Sequence, residues 1–356
     1  MNEPSSERHG PRVAVVGFGA IGGIVAAHLL ELGVDVTAVT TNPAIARAVG
    51  ERGVQVRGEP PPRPLRPSAV VEALDGRTGK YDYILLTTQP PQVEEAAKTS
   101  IPHLAPDGRL VCFQNGLCED RLAKLISPER IIGAVVAWGA STVEPGVYDR
   151  TSQGGFSLGR MDGVIDPPLE TLGRLLESVG PVTLTTNLRG ARWSKLAINS
   201  GISTLGTIGG DRLGALMRHR WARRLMLEVI TEVVAVARAE GVTLEKVSGT
   251  LDLEWIALTD AEKRASGSTG LLAKHSLLLA VGARYRRLRS SMLAAIERGR
   301  TPAVDFLNGE VITRAQAHGI DVPVNRAARD LVWEIARGTK QASHQTLQHL
   351  FERTRA

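Results

Sequence analysis

Residues 12–30, RVAVVGFGAIGGIVAAHLL, join a short β-branched run to an alanine-rich stretch through Gly17, Gly19 and Gly22. A G-x-G-x-x-G spacing directly after strand-forming residues 13–16 and before a helix-compatible 21–32 is the pattern of a dinucleotide-binding turn. In that pattern the first glycine permits a tight strand-to-helix turn, the second lets backbone approach a pyrophosphate, and the third lets helix and strand pack closely. Phosphate then sits at the positive end of the helix. Glycine-rich turns also arise by chance, but residues 34–39, VDVTAV, follow Gly33 as a second strand and complete a βαβ unit. The cofactor candidates here are Gly17, Phe18, Gly19, Ala20, Ile21 and Gly22.

Beyond the second strand stand Thr40, Thr41 and Asn42, where NAD-selective units carry an acid for the adenine ribose. An acid would repel a 2′-phosphate, whereas hydroxyls, an amide and nearby Arg47 accommodate one. NADPH/NADP+ is therefore favoured over NAD, with Thr41 and Asn42 as contacts. Asn42-Pro43 also fits a plain helix start, which is compatible with that preference.

Downstream, 59–67 (EPPPRPLRP) is too proline-rich for helix or central strand and is expected to be a surface excursion. Residues 81–88 (YDYILLTT) form a buried parallel strand, 90–98 a helix, and 109–113 a strand ending at Gln114-Asn115-Gly116. Ligands gather at such strand ends, which makes Asn115 a candidate contact, with a ligand-free Asn-Gly turn as the competing reading. Further strands are expected at 131–139, 155–159 and 181–185.

From residue 188 the pattern turns helical, with helices at 191–200, 218–240, 283–298, 303–318, 324–337 and 343–353, and a Gly-Ser loop at 266–270. The resulting fold class is α/β. A Rossmann domain over 1–187, with 1–11 as a disordered leader, precedes an all-helical domain over 188–356.

Hydrophobic residues are 43% of the 356 and charged ones 22%, which suits a soluble protein with two cores. The apolar run 13–30 is broken by four glycines and His28, so neither a signal peptide nor a membrane span is expected. Cys112 and Cys118 lie outside any CxxC or Cys/His cluster. Reduced thiols, a cytoplasmic location and no metal site follow. The net charge of +6 is spread along the chain and aromatics are only 4%, which argues against nucleic acid. Arg284, Arg286, Arg287 and Arg289 read as a solvated helix face or an anion contact.

In ARWSKLAINSG, 191–201, Lys195 and Asn199 are four residues apart and share one helix face. Such a lysine can donate a proton or hydrogen bond to a carbonyl as hydride arrives, with the amide fixing its partner. An ordinary surface lysine is the competing reading.

The ordered set GFGAIGG, QNG at 114–116, RWSKLAINSG at 192–201, SSML at 290–293 and VDFLNGE at 304–310 resembles the ketopantoate reductase (2-dehydropantoate 2-reductase) family across nearly the whole chain. The resemblance implies an N-terminal Rossmann domain, a C-terminal domain of the 6-phosphogluconate dehydrogenase kind, and reaction in the cleft between them. It implies NADPH-dependent reduction of a 2-keto acid to a 2-hydroxy acid. By resemblance Lys195 is the catalytic general acid, Asn199 its partner, Asn115 a cofactor-side asparagine and Ser291 a substrate-binding serine. Gln89 takes the place of a cofactor-side lysine.

This sequence departs from the family pattern at the substrate. Pro302-Ala303-Val304-Asp305 replaces a threonine-glutamate-isoleucine-aspartate segment, so Ala303 stands where the family has an acid; Ser203 and Leu213 stand where it commonly has asparagines. A site stripped of polar groups relaxes or redirects substrate choice. The expected substrate is thus a 2-keto acid or related carbonyl compound, bulkier or less hydroxylated than ketopantoate. The alternatives are a weakened NADP(H)-binding regulatory protein and a dehydrogenase of another hydroxy acid or an imine. Amphipathic C-terminal helices are compatible with a homodimer.

Overall fold

In the computed structural model, residues 10–59, 65–247, 250–264 and 267–355 are described. Most of the expected leader, the centre of the proline-rich excursion and residue 266 of the Gly-Ser loop lie outside them. The chain forms two compact units, one taking residues up to Gln114 plus Cys118–Leu188, the other Asn115–Leu117 plus the chain from Arg189 onward.

In the first unit β1 (Arg12–Val16) is central because its residues 13–15 are wholly apolar and fully buried, as a parallel strand covered on both faces must be. It pairs in parallel with β2 (Asp35–Val39) on one side and β5 (Tyr81–Leu86) on the other. Chain order continues outward through β4 (Ala69–Val71) at one edge. On the other side come β6 (Leu104–Cys112), β7 (Ile131–Val136), antiparallel β10 (Phe156–Arg160) and β11 (Val182–Leu184). The eight-stranded order β11-β10-β7-β6-β5-β1-β2-β4 reverses its direction of growth at β1, the switch point where doubly wound sheets take ligands.

Helices α1 (Ala20–Glu31), α2 (Pro43–Arg52), α3 (Val93–Ser100), α4 (Glu119–Leu122) and α5 (Pro167–Leu176) belong to this unit. The sequence pattern shows neither α5 nor a second, three-stranded sheet made of β3 (Gln55–Val56), β9 (Val147–Arg150) and β8 (Ala140–Glu144). That small sheet packs on α1, which β1 and β2 also touch. This explains why α1 buries every residue from Gly22 to Leu30; a helix apolar all round is one covered all round.

The second unit is helical throughout: α6 (Leu188–Gly209), α7 (Leu213–Leu216), α8 (Arg220–Ala239), α9 (Leu253–Ile256), α10 (Asp260–Arg264), α11 (Thr269–Arg284), α12 (Ser291–Glu297), α13 (Asn308–Ala317), α14 (Pro323–Ala336) and α15 (His344–Arg353). One core runs from Trp193 on α6 through α8 to Leu350 on α15.

Besides the helix expected over 303–318, which is a turn at Ala303–Phe306 followed by α13, two expectations are corrected here. The single helix expected over 283–298 is two helices separated by residues 285–290. The break is tertiary: the Leu213 N–H donates to the Leu288 carbonyl at 2.9 Å, and Ser290 caps α12 by accepting from the Leu293 N–H. Arg286, Arg287 and Arg289 consequently lie in an exposed connection, not on a helix face. Secondly, the expected loop 266–270 contains the start of α11, because Ser268 accepts from the Leu271 N–H at 3.1 Å and caps it.

Candidate functional site

The turn between β1 and α1 is built from backbone. Gly17 has φ of +92°, and a Cβ there would lie 2.6 Å from the Thr88 nitrogen. A Cβ on Gly22 would meet Thr87 Oγ1 at 2.5 Å and the Gly17 carbonyl at 2.8 Å, whereas one on Gly19 would meet nothing within 4 Å. Gly19 is thus the glycine with open space above it. The turn's carbonyls are engaged on the protein side. Gly17 O accepts from Thr87 Oγ1 at 2.8 Å and from the Gly19 N–H, Phe18 O accepts from Tyr148 Oη at 3.0 Å, and Gly19 O accepts from the Gly23 N–H. The first-turn N–H groups of α1, those of Ala20, Ile21 and Gly22, have no acceptor within the helix by geometry and carry its positive end. This cradle fits a pyrophosphate: open space, outward donors, no facing carbonyl. The Phe18 side chain is 1% exposed and packs into the sheet core, so only its backbone is available to a ligand.

The other cofactor candidates follow the carboxyl ends of neighbouring strands. Thr41 and Asn42 are exposed beyond β2; Asn42 Oδ1 accepts from Ala44 and Ile45 N–H at 3.0 and 3.2 Å and caps α2, and Arg47 is exposed on that helix. Beyond β5, Gln89 is exposed, and its backbone N–H donates to Gln92 Oε1 at 3.3 Å across the turn at Pro90–Gln92. After β6, the buried Gln114 donates to the Thr88 carbonyl at 3.2 Å. Asn115 is exposed, and Gly116, with φ of +92°, packs so tightly on the Phe306 carbonyl that a Cβ would lie 2.4 Å from it. Cys112 donates to Gln114 Oε1.

In the second unit the site is built from side chains. Between Arg192 and Gly209, the α6 residues that keep partial exposure are Lys195, Ile198, Asn199, Ile202 and Ser203; the others are buried. Their i, i+3, i+4, i+7, i+8 spacing is one helical stripe. Lys195 and Asn199 therefore share this face with Ser203. Thr207 Oγ1, Ser290 Oγ and the Ser203 carbonyl form a triangle with sides of 2.8 Å, in which the two hydroxyl protons serve two of the three contacts at a time. Ser290, missed in the sequence, ties the connection 285–290 to the stripe, and Ser291 beside it is exposed. The signal was present: the first serine of SSML stands three residues before Leu293, where a helix cap belongs.

Ala303 is half-buried at the head of the turn Ala303–Phe306. Asp305, the acid retained in that segment, accepts from Arg329 Nε at 2.6 Å and Trp333 Nε1 at 3.2 Å and is thereby bound to α14. Leu213 is 3% exposed and sits in the helical core.

A hydrogen-bonded chain also reaches α6 from its buried side. Thr204 Oγ1 donates to Asn308 Oδ1, Asn308 Nδ2 to Asn325 Oδ1 at 2.9 Å, and Asn325 Nδ2 to Glu232 Oε2 at 2.7 Å. Glu232 also accepts the backbone N–H groups of Val324 and Asn325, yet burial outweighs these bonds and pushes its carboxyl up to about 7. Each amide passes its polarity in the same direction, which locks α6, α13, α14 and α8 in register.

Among the described residues no three or more His, Cys, Asp or Glu side chains are grouped to hold a metal ion, and no helix is long and apolar enough to cross a membrane.

Comparison with known proteins follows this division of the chain. The family model described as ketopantoate reductase PanE/ApbA matches residues 13–163, and that of the ketopantoate reductase PanE/ApbA C terminal matches residues 187–336. A 2-dehydropantoate 2-reductase of Pyrococcus horikoshii is 25% identical over 88% of this chain and 94% of its own. The crystal structure of a PanE/ApbA family ketopantoate reductase from Ralstonia eutropha superposes with a TM-score of 0.75 at 25% identity, covering 92% of this chain and 99% of that one. A D-mandelate dehydrogenase solved with NADH and anilino(oxo)acetate has the same fold, with a TM-score of 0.74 at 18% identity over 95% of this chain and 99% of its own.

Proposed function

Because the chain belongs to the ketopantoate reductase PanE/ApbA family of oxidoreductases, we propose that it reduces a 2-keto acid to the 2-hydroxy acid with NADPH, using Lys195 as general acid. The observation that carries this reading is the α6 stripe, which holds Lys195, Asn199 and Ser203 at the surface of an otherwise buried helix.

NADPH, when bound, supplies the hydride. The amides of the 17–22 turn bind its pyrophosphate, and Gln89 and Asn115 complete its site. Thr41, Asn42 and Arg47 receive the adenine-ribose end, where no acid opposes a 2′-phosphate. Lys195, as an ammonium, hydrogen-bonds the substrate ketone, stabilises negative charge growing on that oxygen and gives it the proton, leaving a neutral amine. Asn199 orients the lysine or the ketone oxygen; Ser203 and Ser291 bind the rest of the acid. With Ala303 and Ser203 small and Leu213 committed to the core, the substrate is bulkier or less hydroxylated than ketopantoate. The alternative of a nucleotide-binding regulator rests on Gln89 and Ala303.

The test is NADPH and NADH oxidation by the purified protein over a panel of 2-keto acids that includes ketopantoate, with Lys195→Ala assayed alongside. The expected outcome is faster turnover with NADPH on an apolar keto acid, and a Lys195→Ala variant that binds nucleotide without turning over. Nucleotide binding without turnover on any member of the panel would favour the regulator.

A further inference from the structure

Tyr148 lies outside every motif in the sequence and has no part in the chemistry above. It sits on β9, is wholly buried, and reaches from the small sheet to the turn between β1 and α1. Its hydroxyl donates to the Phe18 carbonyl at 3.0 Å, and its ring meets the Phe18 ring edge-on at 6.3 Å between centroids. It covers Gly23 so closely that a Cβ there would stand 2.1 Å from Tyr148 Cε2. Gly23 is not one of the three fingerprint glycines, and the ring gives it a reason to be glycine.

We propose that Tyr148 is a positioning residue for nucleotide binding, holding the Phe18–Gly19 peptide with its carbonyl inward. This rests on the reading of residues 17–22 as the phosphate cradle. A peptide plane beside glycine turns over easily, because glycine accepts the backbone angles of either orientation. Turned over, the Phe18 carbonyl would face the pyrophosphate and set a negative dipole against an anion. Thr87 holds the neighbouring Gly17 carbonyl from the β5 side and Tyr148 holds that of Phe18 from the β9 side. Burial pushes the Tyr148 phenol further up from its ordinary value, so it remains a donor at every pH the enzyme meets.

The test is Tyr148→Phe, which keeps the ring over Gly23 and removes only the hydroxyl. NADPH and NADH dissociation constants are measured by equilibrium titration, with the nucleotide KM and kcat, the unfolding midpoint without nucleotide, and amide hydrogen exchange of the peptides covering 17–23 and 140–150. The expected result is about three- to tenfold weaker binding of both nucleotides, the loss of one hydrogen bond's worth. The nucleotide KM should rise in step while kcat at saturation holds, and faster exchange should be confined to 17–23. An unchanged dissociation constant overturns the proposal. So does a loss of affinity accompanied by faster exchange throughout 140–150 and a lower midpoint, which would make Tyr148 structural only. If the unmodified protein binds neither nucleotide, the cradle reading itself fails, a result distinct from either of these.

Discussion

The turn before α1 and the stripe along α6 make opposite use of the chain. At the turn the proposed working groups are peptide amides, and the side chains matter mainly by being absent or by holding carbonyls from behind. On α6 the proposed working groups are side chains, and the backbone serves only to space them at one helical face. A backbone site is set by the fold and tolerates little change, whereas a side-chain site can be redirected one residue at a time. On the proposed reading Ala303 and Ser203 are such redirections, and the glycine turn carries none.

Five substitutions, grouped into four probes, test that contrast. The largest effect belongs to Lys195→Ala, expected to lower turnover by about 100- to 10,000-fold while nucleotide affinity holds, checked by steady-state rates and equilibrium titration on one preparation. If affinity fell equally, the two sites would not be separable. Next come the glycines. Gly22→Ala should cost about 1–3 kcal/mol of stability through overpacking against Thr87 Oγ1, read by denaturant titration. Gly19→Ala, with open space above it, should leave stability alone and weaken nucleotide binding. Reversal of that pattern would break the assignment of Gly19 as the approach point for phosphate.

The third probe concerns what holds α6. The Glu232 carboxyl has its folded value raised to about 7 from 4.5. Its stabilising contribution is therefore full below pH 4.5 and is lost as pH rises through about 7. Glu232→Gln should remove that slope, so the stability difference from the unmodified protein should change by about 1–2 kcal/mol between pH 4.5 and 7.5. This is part of the roughly 3 kcal/mol that the full shift represents, since Glu232 keeps some contact with water. Parallel curves would show that the carboxyl does not titrate in this window. The smallest effect is expected of Asn42→Ala, about 1 kcal/mol for a lost helix cap. A larger loss of affinity for NADPH than for NADH in the same variant would place Asn42 at the 2′-phosphate, and an equal loss would leave it a cap alone.

The sequence makes the first of these regions legible and much of the second illegible, for physical reasons. Val13–Val16 and the glycines announce strand, turn and helix by local rules alone, and the stripe of Lys195 and Asn199 follows from helical spacing. The hairpin of β8 and β9 is hidden because its residues are mostly half-buried or exposed and carry no clean alternation. Its tyrosine therefore gave no sign of reaching the glycine turn. The break at 285–290 is hidden because an arginine-rich segment fits a helix locally; what stops it is the carbonyl of Leu288 bonded to Leu213, some 75 residues away. The order Thr204, Asn308, Asn325, Glu232 is likewise invisible until four helices have been packed.

The central place of β1 in the sheet has a consequence for synthesis. One edge of β1 is paired as soon as β2 has been made, but the other waits for β5 and residue 86. The strand then stands complete while Lys195 is still roughly 110 residues from being translated, a lag on the order of 5–20 s at ordinary ribosomal rates. The strands that floor the proposed coenzyme cradle are thus synthesised well before the residue that would use what the cradle holds.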